Sequence, residues 1–226
     1  MYVNADLGES FGVWKMGDDE NVMPYIDIAN IACGFHASDP LNITKTVALA
    51  KKYNKLICAH PSYPDLQGFG RRSMKMSKDE LKASIVYQCG ALDAICKTQD
   101  KMVKFVKPHG ALYNDMMASE DIFITIVEAI ADYKPKLKLF ILDCETASKY
   151  QKIANDFGVK ILKERFADRG YDESGKLLPR SKEGALIYDA NIIVSNIKIY
   201  KDADTVCLHS DHQPSIDALK IYADQS

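Results

Sequence analysis

Ionisable side chains follow the apolar strand candidates of this sequence, one after another. In chain order they are Asp6 with Glu9, then His36, His60, Lys107 with His109, Asp168 with Arg169, and His209. In parallel α/β folds the carboxyl ends of the strands converge on one face, and active sites form there. A carboxylate beside a histidine can fix the tautomer of the ring for proton transfer, and a lysine ending a buried strand can bind an anion. The spacing therefore predicts an active site on one face of the fold.

Two features concern anion and nucleotide binding. The segment Gly68-Phe69-Gly70-Arg71-Arg72 contains adjacent arginines, which can bind carboxylate or phosphate in bidentate fashion, although an ordinary exposed turn fits the same residues. The sequence has no G-x-x-x-x-G-K-[ST] phosphate loop, and no G-x-G-x-x-G opens a helix after the first strand. A nucleotide would therefore be held in another way.

A divalent metal is a separate alternative. One aspartate with two or three of the five histidines could bind zinc or manganese. The histidines are dispersed, however, and no H-x-x-x-H pair is present. The residues alone leave a metal site open.

Seven short segments rich in Ile, Leu, Val and Phe have the composition of buried parallel strands. They are Tyr2–Asp6, Ile28–Cys33, Leu56–Ala59, Lys104–Lys107, Leu137–Leu142, Val159–Leu162 and Thr205–Leu208. Longer amphipathic stretches separate them, and this alternation predicts an α/β fold with a parallel sheet.

The stretches between the strands carry helix signals. Asp39 is followed by a proline, which is the pattern of an N-cap with proline at the first helical position. Ser77 opens a capping-box pattern, and Gly158 is expected to follow the end of a helix. Ser119 is expected to cap a further helix, which Pro135 ends.

The number of strand–helix units bears on the choice between two architectures. Seven strand–helix units in 226 residues suit a single domain, residues 1–226, with the fold of an incomplete or distorted TIM-like (β/α) barrel. An open doubly wound sheet is the alternative. The longest stretch without a predicted element runs from residue 61 to residue 76, and a loop of that length is usually functional or disordered.

The composition narrows the class of protein. Lys plus Arg total 29 and Asp plus Glu total 31, and this near balance argues against a nucleic-acid or anionic-membrane surface. No apolar run approaches the ~20 residues of a membrane span. The six scattered cysteines form no C-x-x-C pair and are expected to be buried, reduced thiols. We therefore expect a cytoplasmic protein that acts on a small molecule, without nucleic-acid or membrane partners.

Several longer motifs, in order along the chain, resemble those of the LamB/YcsF family, the A subunits of prokaryotic ATP-dependent 5-oxoprolinases. The motifs are Asp6-Leu7-Gly8-Glu9-Ser10-Phe11-Gly12, Ala29-Asn30-Ile31-Ala32-Cys33-Gly34-Phe35-His36-Ala37, Ala59-His60-Pro61-Ser62-Tyr63-Pro64-Asp65 with Gly68-Phe69-Gly70-Arg71-Arg72, Lys107-Pro108-His109-Gly110-Ala111-Leu112-Tyr113-Asn114, and Phe166-Ala167-Asp168-Arg169. The resemblance runs from residue 2 to about residue 187 and resumes near Ala203. The chain departs from the family at His209-Ser210-Asp211, where the family usually has His-Gly-Asp and glycine would permit a closer approach.

The resemblance implies a fold and a reaction. The fold is a distorted TIM-like barrel related to those of glycoside hydrolases and polysaccharide deacetylases. The reaction is the cleavage of 5-oxo-L-proline to L-glutamate coupled to ATP hydrolysis, in a complex with subunits B and C in which ATP is bound. The expected route phosphorylates the amide oxygen, after which water opens the ring. This role does not require a metal on the LamB/YcsF chain.

Position and resemblance together suggest roles for individual residues. The predicted catalytic residues are Asp6, His60, Lys107, His109 and Asp168. The predicted substrate-binding residues are Glu9, His36, Arg71, Arg72, Asn114, Arg169 and His209. Asp6 and His60 are the candidates for water activation. Lys107 and Arg169 are expected to stabilise negative charge on the substrate or the phosphorylated intermediate.

Two other functions stay open at this point. A stand-alone, metal-dependent hydrolase of an amide or N-acetyl group would bind a metal and work without partners. A non-catalytic subunit that only binds 5-oxoproline and its partners would keep full complex activity when Asp6, His60 or Lys107 is changed. The number of ionisable groups on one face favours catalysis, because burying them for structure alone would be costly.

Overall fold

The computed structural model describes residues 1–134 and 136–225, so Pro135, which was predicted to end a helix, lies outside the described residues. Within them, seven parallel strands form a closed barrel. The strands are β1 (Tyr2–Leu7), β2 (Ile28–Ala32), β3 (Leu56–His60), β4 (Val103–Val106), β5 (Lys138–Leu142), β6 (Lys160–Phe166) and β7 (Thr205–His209). Each strand pairs with the next, and β7 pairs back onto β1 from Tyr2 opposite Thr205 to Asp6 opposite His209. The distorted seven-stranded barrel is confirmed, and the open sheet is wrong because the first and last strands are paired.

Helices cover the outside of this barrel. They are α1 (Asp19–Val22), α2 (Pro40–Lys52), α3 (Lys78–Lys97), α4 (Gly110–Ala118), α5 (Glu120–Tyr133), α6 (Ala147–Asp156), α7 (Ala190–Ile199) and α8 (Gln213–Asp224), with a 3₁₀ turn at Met23–Tyr25. The Asp39 cap and the Ser77 capping box form as predicted, and Gly158 follows α6 at positive φ. Ser119 stands before α5, but its side chain makes no capping hydrogen bond. The sequence patterns missed α1 and α4, which are short.

The unpredicted helix α4 fixes the long loop between β3 and α3, which contains neither helix nor strand. The amide of Ala111 donates to the carbonyl of Gly70 at 2.8 Å. Gly110 has a φ of +54°, and a Cβ there would lie 2.5 Å from the Gly70 oxygen. A Cβ on Gly70 would in turn lie 2.8 Å from Cβ of His36 and 2.9 Å from Cδ2 of His109. Glycine is therefore required at position 110, where its backbone meets that of Gly70, and at position 70, where the backbone lies against His36 and His109.

The barrel interior has an apolar floor below a polar layer. Five side chains from β2 to β6 form a separate buried cluster, distinct from the large core between strands and helices, and they are Ile28, Cys58, Phe105, Phe140 and Leu162. Successive side chains of a strand point to opposite faces, so the residue two positions further along points into the barrel again. On β2, β3 and β6 those residues are Asn30, His60 and Glu164, and Lys107 follows Phe105 in the same way. The floor closes one end of the barrel, and polar groups fill the other.

The outward-facing strand residues pack against the helices in the larger core, which includes Ala29, Ile57, Val106, Leu139 and Ile161. The strands thus alternate between barrel interior and helix layer, as in other (β/α) barrels. Among the described helices, none combines the length and the apolar character that a membrane span needs.

The six cysteines are all free thiols, and five of them are buried. Burial raises the pKa of Cys89 and of Cys96 to about 12. Burial also raises the pKa of Cys33, Cys58 and Cys207 well above the usual value. Cys144 is the partly exposed one.

This difference in exposure predicts the pattern of thiol labelling. We expect iodoacetamide at mildly alkaline pH to modify Cys144 of the native protein rapidly, because the thiolate is the reactive form and the other five thiols are buried. Peptide mass spectrometry before and after denaturation measures this. The Cys144→Ser variant should show almost no native labelling, and rapid modification of Cys89 or Cys96 in the native state would contradict the prediction.

Candidate active site

A cavity of about 500 Å³ opens at the carboxyl ends of the strands. Eight of the predicted site residues line it, and they are Asp6, His60, Arg71, Lys107, His109, Asn114, Arg169 and His209. The barrel register explains part of this convergence, because Asp6 on β1 lies opposite Asn30 on β2 and His209 on β7. The structure therefore brings together residues that are up to 203 positions apart (6 to 209).

Lys107 lies at the centre of the buried polar layer. Its Nζ is 3.2 Å from Oδ1 of Asp6 and 3.1 Å from Oε2 of Glu164. It also contacts Oδ1 of Asn4 at 3.3 Å and Sγ of Cys207 at 2.9 Å. Burial alone would lower the pKa of Lys107, but the negative charges of Asp6 and Glu164 hold it well above the usual value. Lys107 is therefore a buried cation with acidic partners.

Asp6 connects Lys107 to two histidines. Its Oδ1 accepts from Nδ2 of Asn30 at 2.8 Å and from Lys107. Its Oδ2 lies 3.4 Å from Nε2 of His60 and 3.8 Å from Nε2 of His209. Burial would raise the pKa of Asp6, but the charges of His60 and Lys107 outweigh it and hold the pKa well below the usual value. The Asp6 carboxylate is thus ionised and directed at imidazole nitrogens beside the cavity.

His60 and His109 lie side by side in the site, and a ring nitrogen of each faces the other. Nδ1 of His60 lies 2.6 Å from the carbonyl oxygen of Lys107, and Nε2 of His109 lies 2.9 Å from the carbonyl oxygen of Phe69. A carbonyl only accepts, so both of these nitrogens carry hydrogen. The remaining nitrogens, Nε2 of His60 and Nδ1 of His109, are 2.9 Å apart. Two neutral rings in these tautomers would direct two lone pairs at each other.

Glu9 and His36 lie behind this pair and border a second cavity of about 260 Å³. The ring of His36 stacks on that of His109 with centroids 3.7 Å apart, and its Nε2 lies 3.1 Å from Oε1 of Glu9. Oε1 of Glu9 is also 3.6 Å from Nδ1 of His109. Burial lowers the pKa of His36 and of His109 well below the usual value, with nearby imidazoles adding to the effect. Burial and the charge of Asp6 raise the pKa of Glu9.

Asp168 supports His209 and does not line the cavity. Its carboxylate accepts from the backbone amide of His209 at 2.8 Å, from Nδ1 of the same ring at 2.9 Å, and from Oγ of Ser215 at 2.9 Å. Burial would raise the pKa of Asp168, but the charge of His209 and these hydrogen bonds hold it well below the usual value. Because Nδ1 of His209 is a donor to Asp168, its Nε2 is the nitrogen directed at Asp6 and the cavity.

The three predicted arginines occupy different settings. Arg169 is buried and donates to the carbonyls of Ala185 and Leu178, which fixes the segment that forms one wall of the cavity. Burial and the charge of Arg180 lower the pKa of Arg169 to about 10.

The other two arginines lie near the cavity mouth and beside it. Arg71 borders the cavity and pairs with Asp211 at 3.1 Å. Arg72 is largely exposed, is absent from the cavity lining and pairs with Asp65. The adjacent arginines therefore do not form one clamp on a common ligand.

Two groups of side chains among the described residues have donor atoms close enough together to hold a metal ion. One group is Glu9, His36, His60 and His109, and the other is Asp6, Cys207 and His209. In each, the donor atoms all lie within 4.8 Å of one another.

Ser210 stands where the family usually has glycine, and the structure accommodates it. Its side chain is buried, and its Oγ donates to the carbonyl oxygen of Asp6 at 2.6 Å. Position 210 is not among the positive-φ residues, so a side chain there causes no backbone strain. Ser210 therefore adds a hydrogen bond between β1 and the residue that follows β7, beside the site.

Sequence reasoning missed four polar residues of the site, Asn4, Asn30, Tyr113 and Glu164. Tyr113 borders the cavity, and burial together with Glu164 raises the pKa of its phenol well above the usual value. Burial also raises the pKa of Glu164, although Lys107 opposes that effect. Asn4, Asn30 and Glu164 could have been found from the sequence, because each is a polar residue in an otherwise apolar strand. Each also stands at a position whose side chain points into the barrel interior.

Curated relatives match this chain over nearly its full length. A protein from Vibrio campbellii, named as the A subunit of 5-oxoprolinase, is 48% identical over 229 residues, which cover 95% of this chain and 90% of the relative. A protein of the same name from Chromohalobacter salexigens is 42% identical over 237 residues, covering 98% of this chain and 95% of the relative.

Solved structures agree with the fold. The crystal structure of a lactam utilization protein from Thermus thermophilus aligns with a TM-score of 0.90 and 34% identity, covering 100% of this chain and 96% of that one. A protein from Enterococcus faecalis, to which cellobiose-phosphate cleavage has been ascribed, aligns with a TM-score of 0.62 at 11% identity over 99% of this chain and 90% of that one, which shows a shared fold alone. The sequence model of the LamB/YcsF family matches residues 1–225. The chain therefore belongs to the LamB/YcsF family.

Proposed function

We propose that this chain is the A subunit of an ATP-dependent 5-oxoprolinase, which cleaves 5-oxo-L-proline to L-glutamate in a complex with subunits B and C. The observation that carries the proposal is the cavity where Asp6, His60 and Lys107 meet, in a chain that is 48% identical to a protein of that name. The word "subunit" in the names of the relatives supports an assembly of several chains.

The cavity suits a small, anionic lactam. Its volume of about 500 Å³ lies within the usual range for small-molecule sites. Arg71, Lys176 and Arg180 border it beside the buried Arg169 and Lys107, so the lining offers cations for a carboxylate or a phosphate. Apolar atoms of Leu142, Phe166 and Leu178 supply the remaining walls for a five-membered ring.

The reaction we propose uses ATP to activate a stable amide. The lactam oxygen attacks the γ-phosphorus, and ADP leaves. Water then adds to the ring carbon, and the C–N bond breaks to release the amine of γ-glutamyl phosphate. A second water hydrolyses that acyl phosphate to L-glutamate and phosphate. Because the sequence has no phosphate loop, we place ATP binding in the assembled complex, with no site assigned on this chain.

The side chains at the cavity have defined parts in this scheme. Asp6 and His60 would accept a proton from the attacking water, because the carboxylate of Asp6 faces Nε2 of His60 at the cavity wall. Lys107 and the arginines would stabilise the negative charge that develops on oxygen and phosphate. Asp168 would position His209 through Nδ1.

A reconstitution assay tests the proposal. We expect 5-oxoproline and ATP to give glutamate only when this chain is combined with its B and C subunits, and the Asp6→Asn and His60→Ala variants to lower that rate by roughly 10²–10⁴-fold, the usual contribution of a general acid–base group. Glutamate formation by this chain alone would overturn the dependence on partners. Full activity of the complex with both variants would instead indicate a subunit that only binds 5-oxoproline.

A further inference from the structure

We propose that Glu9, His60 and His109 form a binding site for one divalent transition-metal ion, on the wall between the two cavities. Three buried donor atoms meet there, and they are Oε1 of Glu9, Nε2 of His60 and Nδ1 of His109. The ring of His36 is stacked parallel to that of His109 with centroids 3.7 Å apart, so it holds Glu9 by a hydrogen bond and is not a ligand of the same ion. With the ion bound, Nε2 of His60 is a ligand, so Asp6 is the group left to accept a proton in the reaction proposed above. Metal binding itself is measured without that reaction.

The tautomers of His60 and His109 favour a cation between the two rings. The carbonyls of Lys107 and Phe69 require hydrogen on Nδ1 of His60 and on Nε2 of His109. The two nitrogens that face each other at 2.9 Å then each present a lone pair in the neutral ring. That contact is repulsive unless a proton or a cation lies between the two rings.

The outer hydrogen bonds are those that metal-bound histidines make. Imidazole ligands usually donate their second nitrogen to a carboxylate or a backbone carbonyl, which fixes the tautomer and the ring orientation. His60 and His109 both have this arrangement, and each uses a carbonyl from a different loop or strand end. The backbone thus holds both inner nitrogens ready to coordinate.

The distances fit a coordination sphere. Metal–nitrogen and metal–oxygen bonds of about 2.0–2.2 Å separate neighbouring donor atoms by roughly 2.8–3.6 Å. The measured separations are 2.9 Å from His60 to His109 and 3.6 Å from Glu9 to His109. Two imidazoles with one carboxylate, and a further position for water, form a set suited to Zn²⁺, Mn²⁺ or Co²⁺.

The surroundings favour a cation over a single shared proton. The carboxylate of Glu9 lies 3.6 Å from Nδ1 of His109, so a divalent ion between Glu9, His60 and His109 would be partly neutralised and would relieve the facing lone pairs. Gly70 packs directly on His36 and His109, where a Cβ would collide, and so closes the cluster from one side. His60 and His109 border the larger cavity, which would place the ion beside Asp6 as a Lewis acid.

Cobalt spectroscopy of the wild-type chain is the first test, because it needs no variant to fold. After removal of metals with a chelator, we expect the protein to bind one Co²⁺ per chain with visible d–d bands and without a thiolate-to-cobalt charge-transfer band. Such a band would place the ion at Asp6, Cys207 and His209 and overturn the proposal. Absence of any stoichiometric binding of Co²⁺ or Zn²⁺ would overturn it as well.

Variants then test the ligands. We expect His109→Ala and Glu9→Gln to weaken Zn²⁺ affinity in isothermal titration calorimetry by at least about 100-fold, since changes in outer partners alone cost 10–100-fold. His212→Gln is the matched control, because His212 donates to the carbonyl of Ile187 and lies outside both candidate groups. Circular dichroism verifies folding, and wild-type affinity in a folded His109→Ala protein would contradict the ligand assignment.

Discussion

Replacing Lys107 with methionine is expected to lower both the activity of the assembled enzyme and the stability of this chain. Lys107 is 2% exposed and lies between the carboxylates of Asp6 and Glu164. Removing one partner from a buried ion pair leaves the other charge uncompensated and typically costs about 3–5 kcal/mol. Loss of a preorganised cation at a reaction centre typically lowers kcat by roughly 10²–10³-fold. Urea unfolding and the glutamate-forming assay measure the two effects.

A double variant separates the two roles of Lys107. In Lys107→Met/Glu164→Gln one unpaired carboxylate is replaced by a neutral amide, so we expect part of the free energy of unfolding to return while the activity stays low. Lys104→Met is the matched control, because Lys104 lies in β4, just before Lys107, but is exposed. Recovery of activity in the double variant would show that Lys107 only neutralises buried acid.

The Asp168→Asn variant is expected to have the second largest effect. The new side chain would present an amide N–H₂ where the carboxylate of Asp168 accepts three hydrogen bonds from His209 and Ser215. Nδ1 of His209 would lose its acceptor, and the ring could turn away from Asp6. We expect kcat/KM of the complex to fall by about 10²-fold, the usual cost of a small misplacement at a reacting group. Asp217→Asn is the control, since Asp217 is exposed on α8 and accepts a hydrogen bond from Gln213 of the same helix.

The stability lost in this variant is expected to depend on pH in a defined direction. The pKa of Asp168 is lower in the folded chain than in the unfolded one, where it is about 3.9. Its contribution to stability is therefore present above about pH 4 and is lost as the pH falls towards the folded value. We expect the stability difference between wild type and Asp168→Asn to shrink on acidification below about pH 4. A constant difference across that range would indicate that packing, and not the charge, accounts for the loss.

The strands and the face of the site could be predicted because both depend on local patterns. Each strand is a short apolar run, and each polar group that ends a strand, such as His60 or His209, is visible as a break in that run. Parallel strands place such breaks on one face whatever the details of packing. Eight predicted residues consequently line one cavity.

The remaining features depend on contacts that sequence patterns do not contain. Closure of β7 onto β1 joins the ends of the barrel, and nothing local in either strand distinguishes this from an open sheet. The outward turn of Arg72 towards Asp65 and the inward turn of Arg71 follow from the loop geometry that Gly70 permits. The tautomers of His60 and His109 depend on backbone carbonyls that only the folded chain brings near them.

The apolar floor of the barrel determines from which side a ligand can reach the cavity. Ile28, Cys58, Phe105, Phe140 and Leu162 close the far end, so a molecule can enter and leave only on the side of the strand ends. The segment held by Arg169 narrows that same side. Molecules that enter and molecules that leave must therefore share one opening.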